Sequence, residues 1–146
     1  MDAADIELRN ATYRRFLELG RAPTAAEIAA ATQRSESDVR AAWGRLQDAH
    51  ALVLDGAGEI RMANPFSAVP TPFRVEAVGK AWYANCAWDA FGIGAALHVD
   101  SVINTECADC HEPIRLHVRE GRPDDTDLVF HVLVPAISWW QDIGFT

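Results

Sequence analysis

The proline pattern in the middle of the sequence constrains the fold most strongly. Three prolines lie within the eight residues from 65 to 72 of a 146-residue chain. Proline fixes its own φ angle and restricts the residue before it, so this stretch must follow an extended, stiff path. Its apolar side chains, which suit a strap packed over a core, are Phe66, Val69 and Phe73. We therefore expect a module over 1–63, the strap over 64–80 and a second domain over 81–146.

The first 63 residues have the pattern of three helices followed by a short hairpin. Apolar residues at helical spacing predict the first helix, and Thr24 with Glu27 forms a capping box that begins the second. A third helix is predicted over 36–49, and two hairpin strands over 52–54 and 60–62. This order predicts a winged-helix-like module.

Charge argues against nucleic acid as a partner of this module. The turn of the hairpin carries Asp55 and Glu59, where a DNA-binding wing usually has Lys or Arg. The whole chain has 13 basic and 21 acidic residues and a net charge of -8, which repels nucleic acid and anionic lipid. We expect the module to be structural.

Cysteine usage and the first residues predict a cytoplasmic protein with reduced thiols. The three cysteines are an odd number, which is poor material for a disulfide scaffold. Residues 1–7 contain no apolar signal region, and no apolar run reaches the roughly 18 residues that cross a bilayer. We expect no membrane contact.

The second half has the pattern of an α+β fold. A helix is predicted over 82–97. Strands are predicted over 98–103, 114–118 and 128–134, and the last has the strongest strand pattern in the chain. We expect a small mixed or antiparallel sheet with helices.

Cys86 and Asp89 form the first candidate site. On a helix, residues three positions apart share a face, so the thiol and the carboxyl would point into the same space. Such a carboxyl can act as a base toward the thiol or as an acid toward a leaving group. The aromatic residues expected to form the pocket, and to raise the pKa of the carboxyl by burial, are Trp82, Tyr83, Trp88 and Phe91. The alternative is a buried structural cysteine with Asp89 at the surface.

Cys107, Cys110 and His111 form the second candidate site. Two thiols in a turn suit a soft metal ion, but a closed zinc site needs further ligands and the chain has no second Cys-x-x-Cys. The pattern also matches c-type haem attachment, which the missing export signal disfavours. A redox pair and a turn whose cysteines only pack stay open.

Three stretches together resemble the organomercurial (alkylmercury) lyase family. They are Phe-Ser-Ala-Val-Pro-Thr-Pro-Phe at 66–73, Trp-Tyr-Ala-Asn-Cys-Ala-Trp-Asp-Ala at 82–90, and Glu-Cys-Ala at 106–108 with Pro-Ile at 113–114. The stretches occur in the family's order, and Tyr-Ala-x-Cys-Ala-x-Asp is the most specific part. In that family the winged-helix-like module is a structural part.

The resemblance implies an enzyme of mercury detoxification. It would cleave a carbon–mercury bond by thiolate-assisted protonolysis and give a hydrocarbon and Hg(II), with no cofactor required. Cys86 would be the first thiolate and Asp89 the proton carrier, while Cys107 matches a family cysteine regarded as structural and Cys110 has no counterpart. The thiols that would hold Hg(II) or another soft metal ion are Cys86, Cys107 and Cys110. The ion would pass to cellular thiols or to a mercuric reductase.

The family's second catalytic cysteine has no match in this sequence. The resemblance places it shortly after the stretch 128–146, so the catalytic domain over 81–146 is expected to be short at its C-terminal end. Three explanations stay open: a shortened chain, Cys107 or Cys110 as the second thiolate, or other chemistry in which Cys86 and Asp89 act as an acid–base pair on a small organic molecule. A metal-binding or DNA-binding regulator is a further alternative.

Overall fold

The computed structural model of the chain describes residues 1–125 and 127–144. Its helices are α1 (Ala3–Leu19), α2 (Ala25–Thr32), α3 (Glu36–Asp48) and α4 (Ala87–Leu97), with a 3-10 helix at Ala136–Gln141. Its strands are β1 (Val53–Leu54), β2 (Ile60–Ala63), β3 (Phe66–Ser67), β4 (Arg74–Ala77), β5 (Lys80–Ala84), β6 (Ser101–Glu106), β7 (Pro113–Arg119) and β8 (Arg122–Pro123). Residues 126, 145 and 146 of the predicted 81–146 domain lie outside the described residues. No helix in the described ranges is long and apolar enough to cross a membrane.

The three predicted N-terminal helices are confirmed, and side chains fix where they begin. Asp2 accepts a hydrogen bond from the Asp5 amide at the start of α1. The predicted capping box of α2 is present, because the Thr24 hydroxyl accepts from the Glu27 amide and the Glu27 carboxylate accepts from the Thr24 amide. These bonds satisfy N–H groups that a helix cannot pair internally.

The strands form one antiparallel sheet in the order β1-β2-β3-β5-β4-β6-β7-β8. The predicted hairpin is present as β1 paired with β2. The sheet was expected to be mixed or antiparallel, and it is antiparallel. The hairpin does not stand alone, since β2 also pairs with β3, which pairs with β5. The stretch 64–80 thus supplies two strands to the sheet.

One face of the sheet carries the core. Trp82, Val75, Ile103 and Leu116 are aligned by the strand register across β5, β4, β6 and β7, and all four are buried. The ring of Trp82 packs on Phe66 at a centroid distance of 5.9 Å. Its indole nitrogen donates to a backbone carbonyl of α1 at 3.4 Å. The N-terminal helices and the sheet therefore share a single hydrophobic core.

The predicted helix over 82–97 is wrong at its beginning. Residues Trp82, Tyr83 and Ala84 belong to β5, and their alternation of buried, exposed and buried side chains has the period of a strand. The helix starts only at Ala87. Gly94 then lets α4 approach β6 closely, since a Cβ atom there would lie 2.6 Å from the Ser101 hydroxyl.

The predicted strand over 128–134 is also wrong. The described residues of this segment have no regular secondary structure, and the side chain of Val129 is 90% exposed. Residues of high β-propensity form a strand only where a pleated, half-buried surface receives them. Here β8 pairs with only Val118 and Arg119 of β7, and the segment 128–134 lines a cavity instead of adding a strand.

Candidate functional site

A cavity of about 790 Å³ opens at one end of the core face of the sheet. Ile103 and Thr105 of β6 and Ile114 and Leu116 of β7 form its floor. The first turn of α4 forms one wall, and the segment 128–134 runs along the opening. This volume lies in the range of about 300 to 1,000 Å³ that is typical of small-molecule sites.

Cys86 lies in this cavity at the junction between β5 and α4. It is the residue that precedes the first turn of the helix, and its thiol is half-buried. Burial raises the pKa of the thiol above its usual value, and the nearby Asp89 carboxylate also raises it. The backbone amides of Asp89 and Trp88 face the sulfur and oppose this effect by favouring the thiolate. The amides thereby offer a negative sulfur the positive end of α4.

Asp89 lies one helical turn further on and lines the same cavity. Burial raises the pKa of its carboxyl, while hydrogen bonds from the side chains of Asn85 and Cys86 lower it in part. The result is a carboxyl that holds a proton more readily than a solvent-exposed one. The two members of the predicted thiol–carboxyl pair therefore line the same cavity.

Asn85 is a polar residue of the cavity that the sequence analysis did not single out. Its Nδ2 donates to Asp89 Oδ2 and to Asn64 Oδ1, both at 3.0 Å, and lies 3.4 Å from the Phe66 carbonyl. Its Oδ1 is buried and has no hydrogen-bond partner among the described residues. The sequence signal for Asn85 was its position four residues before Asp89. This spacing favours a contact only if the chain is helical between the two residues.

Cys107 and Cys110 lie in the turn between β6 and β7. The Cys107 amide donates to the Glu112 carbonyl at 2.9 Å, and the His111 amide donates to the Cys107 carbonyl at 3.0 Å. Cys107 lines the cavity, whereas Cys110 is exposed and is not among the described lining residues. The backbone amides of Cys110 and Asp109, followed by the Cys110 thiol, lower the pKa of Cys107.

Four aromatic residues were expected to form the pocket, and only two of them line the cavity. Trp88 and Phe91 line it, and the Trp88 ring lies 6.5 Å from the ring of Phe130. Trp82 instead packs in the core, and Tyr83 points to the opposite face of β5, so neither is among the described lining residues. Both differences follow from the strand period of β5.

Metal-ligating groups are sparse in the described residues. No group of three or more His, Cys, Asp or Glu side chains that could hold an ion occurs in residues 1–125 and 127–144. The ring Nδ1 of His111 contacts Glu106 at 3.2 Å. Cys86, Asp89 and Cys107 all line the cavity, but they do not form such a group.

Among solved structures, the chain is similar to one described as the mercury-bound form of MerB2, with a TM-score of 0.65 and 24% sequence identity. The match covers 86% of this chain, and the chain spans 60% of the length of that protein. At this identity the similarity establishes the fold, with its N-terminal helices and antiparallel sheet. No curated protein matches the chain.

The sequence profile of alkylmercury lyase, MerB, matches residues 66–146. This range begins at β3 and includes the whole floor of the cavity, the thiol–carboxyl pair and the turn between β6 and β7. Because the matched range is more than half of the 146 residues, the protein belongs to the alkylmercury lyase family.

Proposed function

We propose that this protein cleaves the carbon–mercury bond of small organomercurials and gives a hydrocarbon and Hg(II). The observation that carries the proposal is the shared cavity of Cys86, Asp89 and Cys107. Membership of the alkylmercury lyase family supports the reaction class. The mercury in the related structure supports Hg(II) as the ion that is handled, in the role of substrate and product rather than of cofactor.

In the proposed reaction, the Cys86 sulfur bonds to mercury and its proton passes to Asp89. Cys107 supplies the second sulfur as a thiolate. Asp89 then donates the proton to the carbon as the carbon–mercury bond breaks. One organomercury cation, one thiol and one thiolate give one hydrocarbon and one dithiolate-bound Hg(II), so atoms and charges balance and no electron is transferred.

The electrostatics of the three groups support these roles. A carbanion is a poor leaving group until it is protonated, and burial raises the pKa of Asp89 so that the carboxyl holds a proton more readily. The lowered pKa of Cys107 favours its thiolate form. Asn85 Nδ2 bonds to Asp89 Oδ2 and holds the carboxyl beside the thiol, which makes it a positioning residue.

The chemistry of the cavity supports a small apolar organomercurial as the substrate. Most of the lining side chains are apolar, with Trp88 and Phe91 on the wall. The product ion would pass to cellular thiols or to a mercuric reductase in the cytoplasm. These partners and this location stay predictions from the sequence.

We further propose that the N-terminal module is winged-helix-like and structural. Glu59 in the hairpin accepts hydrogen bonds from the Ala25 amide and from Arg40, so the hairpin turn is tied to α2 and α3. The contact with Glu59 occupies the guanidinium of Arg40, a group that a DNA-reading helix would present to phosphates. The division at residues 63 and 80 also stays a prediction.

Hydrocarbon release tests the proposed function. The reduced protein is incubated with phenylmercury and excess thiol, and benzene is measured by gas chromatography. We expect release from the wild-type chain and none from the Cys86→Ser variant. Tyr83→Phe is the matched control, because Tyr83 lies outside the cavity on the opposite face of β5, and it should release benzene at the wild-type rate. A folded wild-type protein that releases no benzene contradicts the proposal.

A further inference from the structure

We propose that Cys107 and Cys110 form an exit site that moves Hg(II) from the cavity to the protein surface. This inference rests on the proposed lyase function, which would produce the ion beside Cys86. It assigns a role to Cys110, which takes no part in the cleavage step. The ligand of the site is a soft ion bound by two thiolates, and here that ion is Hg(II).

The turn between β6 and β7 joins the cavity to the surface. Cys107 is partly buried and faces the same cavity as Cys86, whereas Cys110, three residues later, is exposed. Two backbone hydrogen bonds, to the Glu112 carbonyl and to the Cys107 carbonyl, close the turn. An ion shared by these two sulfurs would thus sit between the reaction space and solvent.

The surroundings of the pair favour a two-coordinate ion. Zinc in a structural site takes four protein ligands, and no group of three or more candidate ligands occurs in the part of the chain that the structure describes. The neighbouring His111 ring is in contact with Glu106. With metal–sulfur bonds near 2.3 Å, a linear ion needs sulfurs about 4.6 Å apart. Soft thiolate ligands select soft ions.

The transfer is a ligand exchange without a change of oxidation state. Hg(II) is first bound between the Cys86 and Cys107 sulfurs. The Cys110 thiol bonds to mercury and the mercury–Cys86 bond breaks, while the Cys110 proton passes to Cys86. Cys86 regains its thiol, and mercury remains Hg(II) between two sulfurs. Solvent thiols then reach the ion at the exposed Cys110 and displace both cysteines in the same manner.

Binding to the pair is tested without the lyase reaction. The Cys86→Ser variant leaves Cys107 and Cys110 as the only cysteines of the chain. Mercuric chloride is titrated into the reduced variant with glutathione as competitor, and the mercury–thiolate absorbance in the ultraviolet is measured. We expect one ion per chain. Adding Cys110→Ser should lower the affinity by more than the roughly 10- to 100-fold that loss of an outer-shell partner costs.

His111→Asn is the matched control for this titration. It removes the imidazole but keeps a residue that tolerates the positive φ of 58° at this position. The Hg(II) affinity should not change. A loss of affinity in this variant, or equal affinities in the Cys86→Ser and double variants, overturns the two-thiolate site. Circular dichroism spectra of all variants establish that each is folded.

Transfer is tested with the full chain loaded with Hg(II). Release of the ion to excess glutathione is followed by stopped-flow absorbance, and Cys110→Ser should slow it by about tenfold. Equal rates overturn the exit role. Benzene release without Hg(II) binding to the pair overturns the exit site and leaves the lyase proposal intact. Hg(II) binding to the pair without any benzene release overturns the lyase proposal and, with it, the exit role.

Discussion

The N-terminal helices and the cavity differ in how their buried side-chain oxygens are paired. In the helices, the Trp43 indole donates to the Thr12 hydroxyl at 3.1 Å, and the buried Asp5 carboxylate receives two hydrogen bonds from Arg45. At the cavity, Asn85 Oδ1 and Thr105 Oγ1 are buried without partners among the described residues. Paired polar groups stabilise a fold, whereas unpaired ones destabilise it.

This difference separates the part of the molecule that stabilises the fold from the part that carries the proposed chemistry. Burial raises the pKa of both Cys86 and Asp89, so the charged forms of these groups are disfavoured where they lie. Such sites are retained for function rather than for stability. Substitutions in the two regions should therefore change stability and activity in different directions.

The largest expected effect is on activity, in the Asp89→Asn variant. Loss of a positioned general acid lowers rates by about 10²- to 10⁴-fold, and the rate of benzene release should decrease by a factor in that range.

The Asp89→Asn variant should also be more stable than wild type at pH 7. The pKa of Asp89 is raised above its ordinary value of 3.8, so the stability that is present below pH 3.8 is lost as the pH rises through the folded pKa. Asparagine has no proton to lose, so the variant should keep this stability as the pH rises. Thermal unfolding of both proteins at pH 4 and pH 7 measures the difference. An unchanged rate would contradict the role of Asp89.

The Trp43→Ala variant tests the other region. Trp43 is fully buried, and its removal should destabilise the fold by about 3 to 5 kcal/mol because a cavity replaces the ring. Urea unfolding measures this change. At temperatures where the variant is folded, benzene release should match wild type, because Trp43 does not line the cavity. A small change in stability would show that the two regions differ less than their contacts indicate.

The Thr105→Val variant should have a smaller effect of opposite sign. It replaces a buried hydroxyl that has no partner among the described residues with a methyl group of similar size. We expect a gain of about 1 kcal/mol in the free energy of unfolding, since an unsatisfied polar group is removed. Urea unfolding checks this value. A loss of stability would mean that the hydroxyl is paired, and the comparison between the regions would then weaken.

The smallest effect is expected for Glu27→Gln in the capping box of α2. Hydrogen bonds from Arg21 and Thr24 lower the pKa of Glu27 from 4.5 to about 2. Its contribution to stability is therefore present above pH 4.5 and is lost as the pH falls toward about 2. The Glu27→Gln variant should lose less stability than wild type as the pH falls from 4.5 to about 2. We expect this difference to be less than about 1 kcal/mol, because the pair is partly exposed. Urea unfolding midpoints from pH 2 to pH 6 measure this difference. An equally steep loss of stability in the variant would contradict this role of Glu27.

Local signals predicted local structure well. The three helices, the capping box at Thr24 and the hairpin depend on contacts within a few residues, and all of them are confirmed. That Cys86 and Asp89 line the same cavity was also predictable, because the two residues lie three positions apart at the start of α4.

Features that depend on distant contacts were not predictable from the pattern. Trp82 was assigned to a helix because a short apolar run does not distinguish a strand from a helix, and only pairing with β3 and β4 decides it. The segment 128–134 has strand composition but pairs with no strand in the part of the chain that the structure describes, and its side chains line the cavity. Asn85 and Cys107 reach the cavity only because the chain turns after β5 and again after β6.

The two residues of β3 have a consequence for how the molecule opens. Phe66 and Ser67 pair with β2 on one side and with β5 on the other, so this short strand is the sheet's link between the hairpin that follows the N-terminal helices and the strands that carry the cavity. Neither half can separate from the other without breaking hydrogen bonds on this strand. Hydrogen exchange at its amides therefore reports the cooperative opening of the whole molecule rather than local fraying.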